Sequence, residues 1–131
     1  MKALKQLRDG VVSLGYWWLK GYPPVGLNSA SERTTVCLRC PKNQPATMFE
    51  APKRGAVNAI RAAMAVKHHL KLVLPEEALL GICEPCGCDL RLKVWQPPES
   101  IFFDGKPDYF DELWEQCWVR KEAPASAPAK P

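Results

Sequence analysis

Four cysteines in two Cys-x-x-Cys pairs are the residues of this chain whose type and spacing could bind a metal. Cys37 and Cys40 form the first pair, and Cys83 and Cys86 form the second. Two intervening residues let both thiolates of a pair face one point across a tight turn, and Gly87 lets the backbone after the second pair curl toward sulfur. Four thiolates form the tetrahedral shell that structural Zn²⁺ prefers. The sequence therefore predicts a Zn²⁺ site made by these two pairs, which we call the knuckles.

Two further cysteines leave the ligand set open. Cys88 lies two residues after Cys86, and Cys117 lies far downstream. Either could replace a knuckle cysteine, or the two could pair with each other or complete a second site. An iron–sulfur cluster is the alternative metal centre, but the chain lacks the Cys-x₂-Cys-x₂-Cys run of bacterial ferredoxins, which favours zinc. A shell filled by four protein sulfurs has no open position for water, so catalytic zinc is not expected.

Motifs of catalysis are missing from the sequence. There is no Gly-x-Ser-x-Gly elbow, no Walker loop and no Gly-x-Gly-x-x-Gly motif. His68 and His69 are the only histidines, and adjacent helical residues point about 100° apart, so we expect surface residues rather than ligands of one metal. A cysteine nucleophile with a histidine base is supported by residue presence alone. The sequence therefore predicts a protein that is not an enzyme.

The N-terminal residues bear on whether the cysteines form disulfides or bind a metal. Lys2, Lys5 and Arg8 precede an apolar run from Val11 to Leu19, which loosely resembles a signal peptide. The run is short, Gly15 interrupts it, and no small-x-small cleavage site follows. No apolar run approaches the about 20 residues of a membrane span. We therefore expect a cytoplasmic protein with reduced thiols and no membrane span.

The elements that must position the cysteines follow from hydrophobic periodicity and turn residues. Apolar residues three and four apart predict helices, and alternation with polar residues predicts a strand. The predicted elements are an amphipathic helix over residues 2–20, β-prone Thr34 to Val36 before the first knuckle, a helix over Arg54 to Leu74 that Pro75 ends, a half-buried strand over Leu90 to Trp95, and an acidic amphipathic helix over Asp108 to Arg120.

These elements predict an α+β fold. A small zinc-ribbon-like β-hairpin would carry the metal, with one helix inserted between the knuckles and helices flanking it at the N- and C-terminal sides. The organisation along the chain would be an N-terminal amphipathic helix and linker over residues 1–32, a cysteine-rich metal-binding domain over 33–119, and a disordered Ala/Pro-rich tail over 120–131.

Charge is distributed unevenly along the chain. Residues 1–98 hold 14 Lys or Arg against 7 Asp or Glu, whereas residues 99–131 hold 4 against 7. A basic body suggests an anionic partner, and a nearby aromatic side chain could stack on a base. The predicted nucleic-acid contacts are Arg54, Arg61, Lys67, Lys71, Arg91, Lys93 and Trp95. An ordinary solvated helix face explains the same residues without any partner.

Two other functions remain open from the sequence. A protein–protein or virion-associated structural component would use aromatic residues, namely Tyr16, Trp17, Trp18 and the segment from Tyr109 to Trp118. A thiol redox protein would use Cys83 with Cys86, or Cys88 with Cys117. No small-molecule substrate is evident.

The cysteine motifs also resemble a known group of proteins. The matching stretches are Cys37-Leu38-Arg39-Cys40-Pro41-Lys42-Asn43, Leu80 through Val94 with its Cys-x-x-Cys-Gly-Cys core, and Cys117-Trp118. They resemble small, uncharacterised six-cysteine proteins of tailed bacteriophages and prophages, over about residues 33–119. The resemblance implies a metal-stabilised domain in which Cys88 and Cys117 belong to the cysteine set, and a location in the host cytoplasm. It implies no activity.

Overall fold

Helices and short turns build most of this fold, and one two-stranded sheet joins distant parts of it. The computed structural model describes residues 14–45, 51–103 and 105–124, with only the backbone for 51–53. The elements are α1 (residues 14–20), α2 (Leu27–Arg39), β1 (Asn43–Gln44), α3 (Ala51–His68), a 3₁₀ helix (Glu77–Leu79), β2 (Ile82–Cys83), α4 (Leu90–Lys93), α5 (Pro98–Ile101), a second 3₁₀ helix (Phe110–Glu112) and α6 (Trp118–Glu122).

The sheet pairs β1 and β2 in antiparallel orientation, with Asn43 opposite Cys83 and Gln44 opposite Ile82. Helix α3 lies between the two strands in sequence. Gly81 packs so closely on β1 that a Cβ atom there would lie 1.8 Å from the Gln44 carbonyl oxygen, so only glycine fits. A mixture of helices with a small antiparallel sheet confirms the predicted α+β class.

The β-prone residues before the first knuckle are helical, so their preference for a strand is not realised. Thr34 and Thr35 lie in α2, where their hydroxyl groups donate to the carbonyl oxygens of Ala30 and Ser31, four residues earlier. This bond satisfies the hydroxyl within the helix. Ala30, Thr34 and Cys37 are buried on one face of α2, so tertiary packing overrides the β-propensity of threonine.

The strand predicted over Leu90 to Trp95 was wrong, because residues 90–93 form helix α4. The Asp89 carboxylate accepts a hydrogen bond from the Arg91 amide and caps the first turn. Leu92, Lys93, Val94 and Trp95 are all buried. Apolar and polar residues alternate in this segment, but the polar positions are not on a solvent-exposed face. The alternation therefore does not indicate a half-buried strand here.

Helix α3 begins at Ala51 and ends at His68, earlier than the predicted end at Leu74. His69 adopts a left-handed φ of 54°, and the Leu70 amide donates to the Ala65 carbonyl oxygen at 3.3 Å. This is the hydrogen bond of a Schellman motif, which satisfies a carbonyl group at the helix end. A left-handed turn at His69, rather than Pro75, therefore ends the helix.

Replacing His69 with glycine is expected to raise the free energy of unfolding by about 0.5–1 kcal/mol, because glycine adopts positive φ without a Cβ clash. Urea denaturation measures the change. The matched control is Ala62→Gly on the exposed side of α3, where glycine should lower the free energy of unfolding by about 1 kcal/mol. A loss of stability in His69→Gly would contradict the assignment of this helix end.

The acidic segment does not form the single helix predicted over Asp108 to Arg120. It forms a 3₁₀ turn, an extended residue at the buried Leu113 and then α6. The Arg120 guanidinium donates to the carbonyl oxygens of Leu113 and Asp111, which links α6 to the turn. Two short helical turns with the buried Leu113 between them therefore stand in place of the single long amphipathic helix.

The core joins the N-terminal part of the chain to the cysteine-rich part. Trp17 of α1 is fully buried and donates its indole N–H to the Tyr22 carbonyl oxygen at 2.8 Å. The Val25 amide donates to the carbonyl oxygen of Trp95, which is also fully buried. The predicted boundary at residue 33 falls inside α2, and Arg33 pairs with Glu122 in α6. The start of the predicted N-terminal helix and most of the predicted tail (residues 1–13 and 125–131) lie outside the described residues.

Candidate metal centre

The first knuckle is the turn that leaves α2. Cys37 lies in the last turn of the helix and is buried, and Cys40 follows its end. The Cys40 amide donates to the Cys37 carbonyl oxygen at 3.1 Å, and the Lys42 amide lies 3.4 Å from the Cys40 sulfur. An amide group directed at sulfur stabilises negative charge on that sulfur, as in a metal-binding thiolate.

The second knuckle is a tight turn after β2. The Gly87 amide donates to the Cys83 carbonyl oxygen at 2.7 Å, and Gly87 has a φ of 71°, as expected for the glycine that lets this turn curl. The Cys83 amide donates to the Cys88 carbonyl oxygen at 3.0 Å and closes the loop. Cys86 lies inside the loop and is buried.

The sheet register brings the two knuckles together. Besides the pairing of Asn43 with Cys83, the Glu84 amide donates to the Lys42 carbonyl oxygen at 2.9 Å. The Asn43 side-chain oxygen accepts a hydrogen bond from the Gly81 amide at 2.8 Å. These contacts hold the exit of the first knuckle beside the entry and turn of the second.

Five cysteines from three segments line one cavity. The cavity walls include Cys37 and Cys40 of the first knuckle, Cys83 and Cys86 of the second, and Cys117 at the start of α6. All six cysteines of the chain are free thiols. The structure therefore brings the four predicted ligands into one place and adds Cys117, which the sequence left as an alternative.

Cys88 lies beside the cavity through its contact with Cys86, and the histidines lie elsewhere. Cys88 is absent from the cavity walls, and its sulfur lies 3.7 Å from the Cys86 carbonyl oxygen. His68 and His69 are at the end of α3 and do not line the cavity. Burial lowers the pKa of His68, and the neighbouring Lys67 acts in the same direction.

The buried thiols of this cavity resist ionisation. Burial raises the pKa of Cys37 to about 12, and the neighbouring sulfurs of Cys117, Cys40 and Cys86 act in the same direction. The pKa of Cys86 is also about 12, raised first by its hydrogen bond with Cys83 and further by burial. Burial likewise raises the pKa of Cys117, against which the amides of the first turn of α6 act. Negative charge on these clustered sulfurs requires a compensating cation.

The donor types fit Zn²⁺, but the side chains are not gathered around one point. Among the residues that the structure describes, no group of three or more His, Cys, Asp or Glu side chains is arranged so that it could hold a metal ion. The shared cavity supplies more sulfurs than the four that a structural Zn²⁺ site needs. The cavity therefore matches a zinc site in the type of its ligands and in their shared location, but not in the orientation of their side chains.

The predicted nucleic-acid contacts do not form one exposed surface. Arg54 and Arg91 both pair with the buried Asp89 carboxylate, at 3.1 and 3.0 Å. Arg61 is buried, donates to the Leu72 carbonyl oxygen and pairs with Glu77. These three arginines hold α3 against the segments that follow it.

The other four predicted contacts divide between core and surface. Lys93 is only 3% exposed and Trp95 is 0% exposed, so the indole cannot stack on a base in this fold. Lys67 and Lys71 are exposed, and the Lys67 ammonium group lies over the Trp18 ring and donates to the Trp18 carbonyl oxygen. The sequence did not show that Lys93 and Trp95 are buried or that Lys67 contacts Trp18. Burial and contact depend on residues that are distant in the chain.

A second group of residues lies near the cavity, and the sequence predicted only its Trp118, as part of a protein-contact segment. The Trp118 indole N–H donates to the Cys37 sulfur at 3.3 Å. The Arg33 guanidinium lies 4.0 Å above the Trp118 ring and donates to the carbonyl oxygens of Val94 and Gln96. Arg33 also pairs with Glu122. The only sequence signal was the Cys-Trp dipeptide at 117–118.

Comparison with other proteins adds no relative. No protein-family model, no curated protein and no solved structure matches this chain. Within the described residues, no helix is long and apolar enough to cross a membrane.

Proposed function

We propose that this protein is a non-catalytic module whose fold is held by Zn²⁺ at the cysteine cavity. The observation that supports this most directly is that five cysteines from three distant segments line one cavity and none forms a disulfide. A core of ordinary apolar residues would not need five thiols in one place. In this proposal Cys37, Cys40, Cys83 and Cys86 are the first choice of ligands, and Cys117 is the alternative.

Local structure supports a thiolate site. Amide groups approach the sulfurs of Cys40 and Cys117, and the Trp118 indole donates to Cys37. Such donors accompany metal-bound thiolates because they stabilise negative charge on sulfur. Zn²⁺ would draw the thiols together by rotation about their Cα–Cβ bonds, which have three staggered positions each. Four protein sulfurs then fill the coordination shell, which favours a structural over a catalytic role.

Nucleic-acid binding is the less favoured role for this module. Phosphate binding needs cations that are not already neutralised, and three of the predicted arginines pair with carboxylates of the same chain. Lys67 and Lys71 remain as exposed cations of the predicted set. Their number is small for a phosphate-binding surface.

A protein partner is the second candidate role. Large apolar side chains are exposed on two elements that touch each other, since Lys67 of α3 contacts Trp18 of α1. Trp18, Leu19 and Val66 form this exposed group. Apolar and aromatic side chains of this kind favour protein contacts over phosphate contacts.

Native mass spectrometry of the purified protein tests the proposed function. We expect one Zn²⁺ per chain, loss of that metal in Cys37→Ser, and retention in the matched control Cys88→Ser, whose sulfur lies outside the cavity. Iron with inorganic sulfide would contradict the zinc proposal. A metal-free chain with an internal disulfide would instead support the thiol redox alternative.

A further inference from the structure

Lys93 is a buried cation with no carboxylate partner among the described residues. Its side chain is only 3% exposed, and its ammonium group donates to the Tyr109 hydroxyl at 3.0 Å. The described ion pairs involve Arg33, Arg54, Arg61 and Arg91, but not this lysine. A buried charge without a counter-charge is strongly unfavourable, so the fold must supply negative charge near Lys93.

Tyr109 does not supply that charge. A phenol is neutral at physiological pH, and burial raises the pKa of Tyr109 further. The phenol therefore acts as a hydrogen-bond acceptor that fixes the direction of the Lys93 side chain. The aromatic ring adds a second favourable contact, with the ammonium group 5.3 Å from the ring centre.

The cysteine cavity is the remaining source of negative charge. Lys93 lines the same cavity as the five cysteines, and the sulfurs of Cys86 and Cys88 are close enough to interact electrostatically with its ammonium group. Helix α4, capped by Asp89, carries Lys93 in its last turn beside the second knuckle. The position of this lysine is therefore set by the same segment that carries the ligands.

We propose that Lys93 is the counter-cation of the cysteine cluster. Zn²⁺ with four thiolates carries two net negative charges, and one ammonium group beside it offsets one of them. Lys93 is then a positioning and charge-balancing residue that sets metal affinity without binding the metal. This inference rests on the proposed zinc site.

Titration with Co²⁺ and Zn²⁺ tests the role of Lys93. Lys93→Met keeps an unbranched side chain that is one atom shorter, and it removes the charge. At saturation with Co²⁺, we expect the same sulfur-to-metal absorption band as in the unmodified protein, which shows that the thiolate ligands still assemble. Competition with a chromophoric chelator should give a Zn²⁺ affinity at least about tenfold weaker, the range for partners of metal ligands.

Lys93→Arg is the matched control because it keeps the positive charge. Its Zn²⁺ affinity should lie closer to that of the unmodified protein than the affinity of Lys93→Met. Equal affinities in Lys93→Met and the unmodified protein would overturn the proposal. If Lys93→Met forms no absorption band, recovery of the band in Lys93→Arg supports the proposal and its loss in both overturns it. Absence of a band in the unmodified protein would instead contradict the zinc site itself.

Discussion

Removal of Zn²⁺ with a strong chelator is expected to abolish the cooperative thermal unfolding of this protein. The expected loss is large because structural Zn²⁺ binding contributes about 10–16 kcal/mol to folding at neutral pH. Typical domains have a total stability of only about 5–15 kcal/mol. A protein that derives this much stability from metal should lose its fixed tertiary structure once the metal is removed.

The architecture around the cavity explains why the metal would matter so much. The two strands that join the knuckles have two residues each, and such short pairing has little stability of its own. The cavity brings together the end of α2, the turn after β2 and the start of α6. Without a metal, these three segments would be held by packing around buried thiols, by the short strand pairing and by the ion pair of Arg33 with Glu122.

Differential scanning calorimetry and near-ultraviolet circular dichroism measure the effect before and after chelation. Zn²⁺ added back should restore both signals, whereas Mg²⁺ should not, because Mg²⁺ prefers oxygen ligands. Cys88→Ser should behave like the unmodified protein in each state. An unchanged cooperative transition in protein shown by mass spectrometry to be free of metal would refute the structural role of zinc.

Replacement of Asp89 by asparagine is expected to lower the free energy of unfolding by about 3–5 kcal/mol. The Asp89 side chain is fully buried between the guanidinium groups of Arg54 and Arg91. Removing one partner of a buried ion pair leaves uncompensated charge, which costs about this much. Here two arginines would lose the same counter-ion.

Asparagine isolates the charge of Asp89 from its other role. Asparagine caps a helix about as well as aspartate, so the hydrogen bond to the Arg91 amide at the start of α4 can persist. Denaturant unfolding of the metal-loaded protein measures the change. The matched control is Lys71→Gln at an exposed lysine, which should change stability by less than about 0.5 kcal/mol.

The Asp89 result also bears on function. If both arginines are structural, Asp89→Asn should destabilise the protein strongly. A change of less than about 1 kcal/mol would mean that Arg54 and Arg91 are not held by this carboxylate and are free to contact a partner. That outcome would return nucleic-acid binding to consideration.

Local patterns of residues were sufficient for some features of this protein. The spacing of Cys37, Cys40, Cys83 and Cys86 predicted that the two knuckles would meet. Each Cys-x-x-Cys pair supplies two of the four sulfurs that one structural Zn²⁺ site needs. The apolar face of α3 predicted a helix between the knuckles, since a stripe of small and apolar side chains is a local property. The coarse α+β class followed from these features.

Only the tertiary structure decided how the ends of these elements and the charged residues are used. Segments 34–36 and 90–93 became helices because tertiary packing outweighs a weak preference for strands. Helix α2 packs through one face, whereas Leu90, Leu92 and Lys93 are all buried in α4. Arg54 and Arg61 became structural because Asp89 and Glu77 meet them across the fold. Lys93 looked like a surface cation, yet it lies beside the cysteines. A charge interacts through space, and the sequence records spacing along the chain but not which distant groups the fold brings to it.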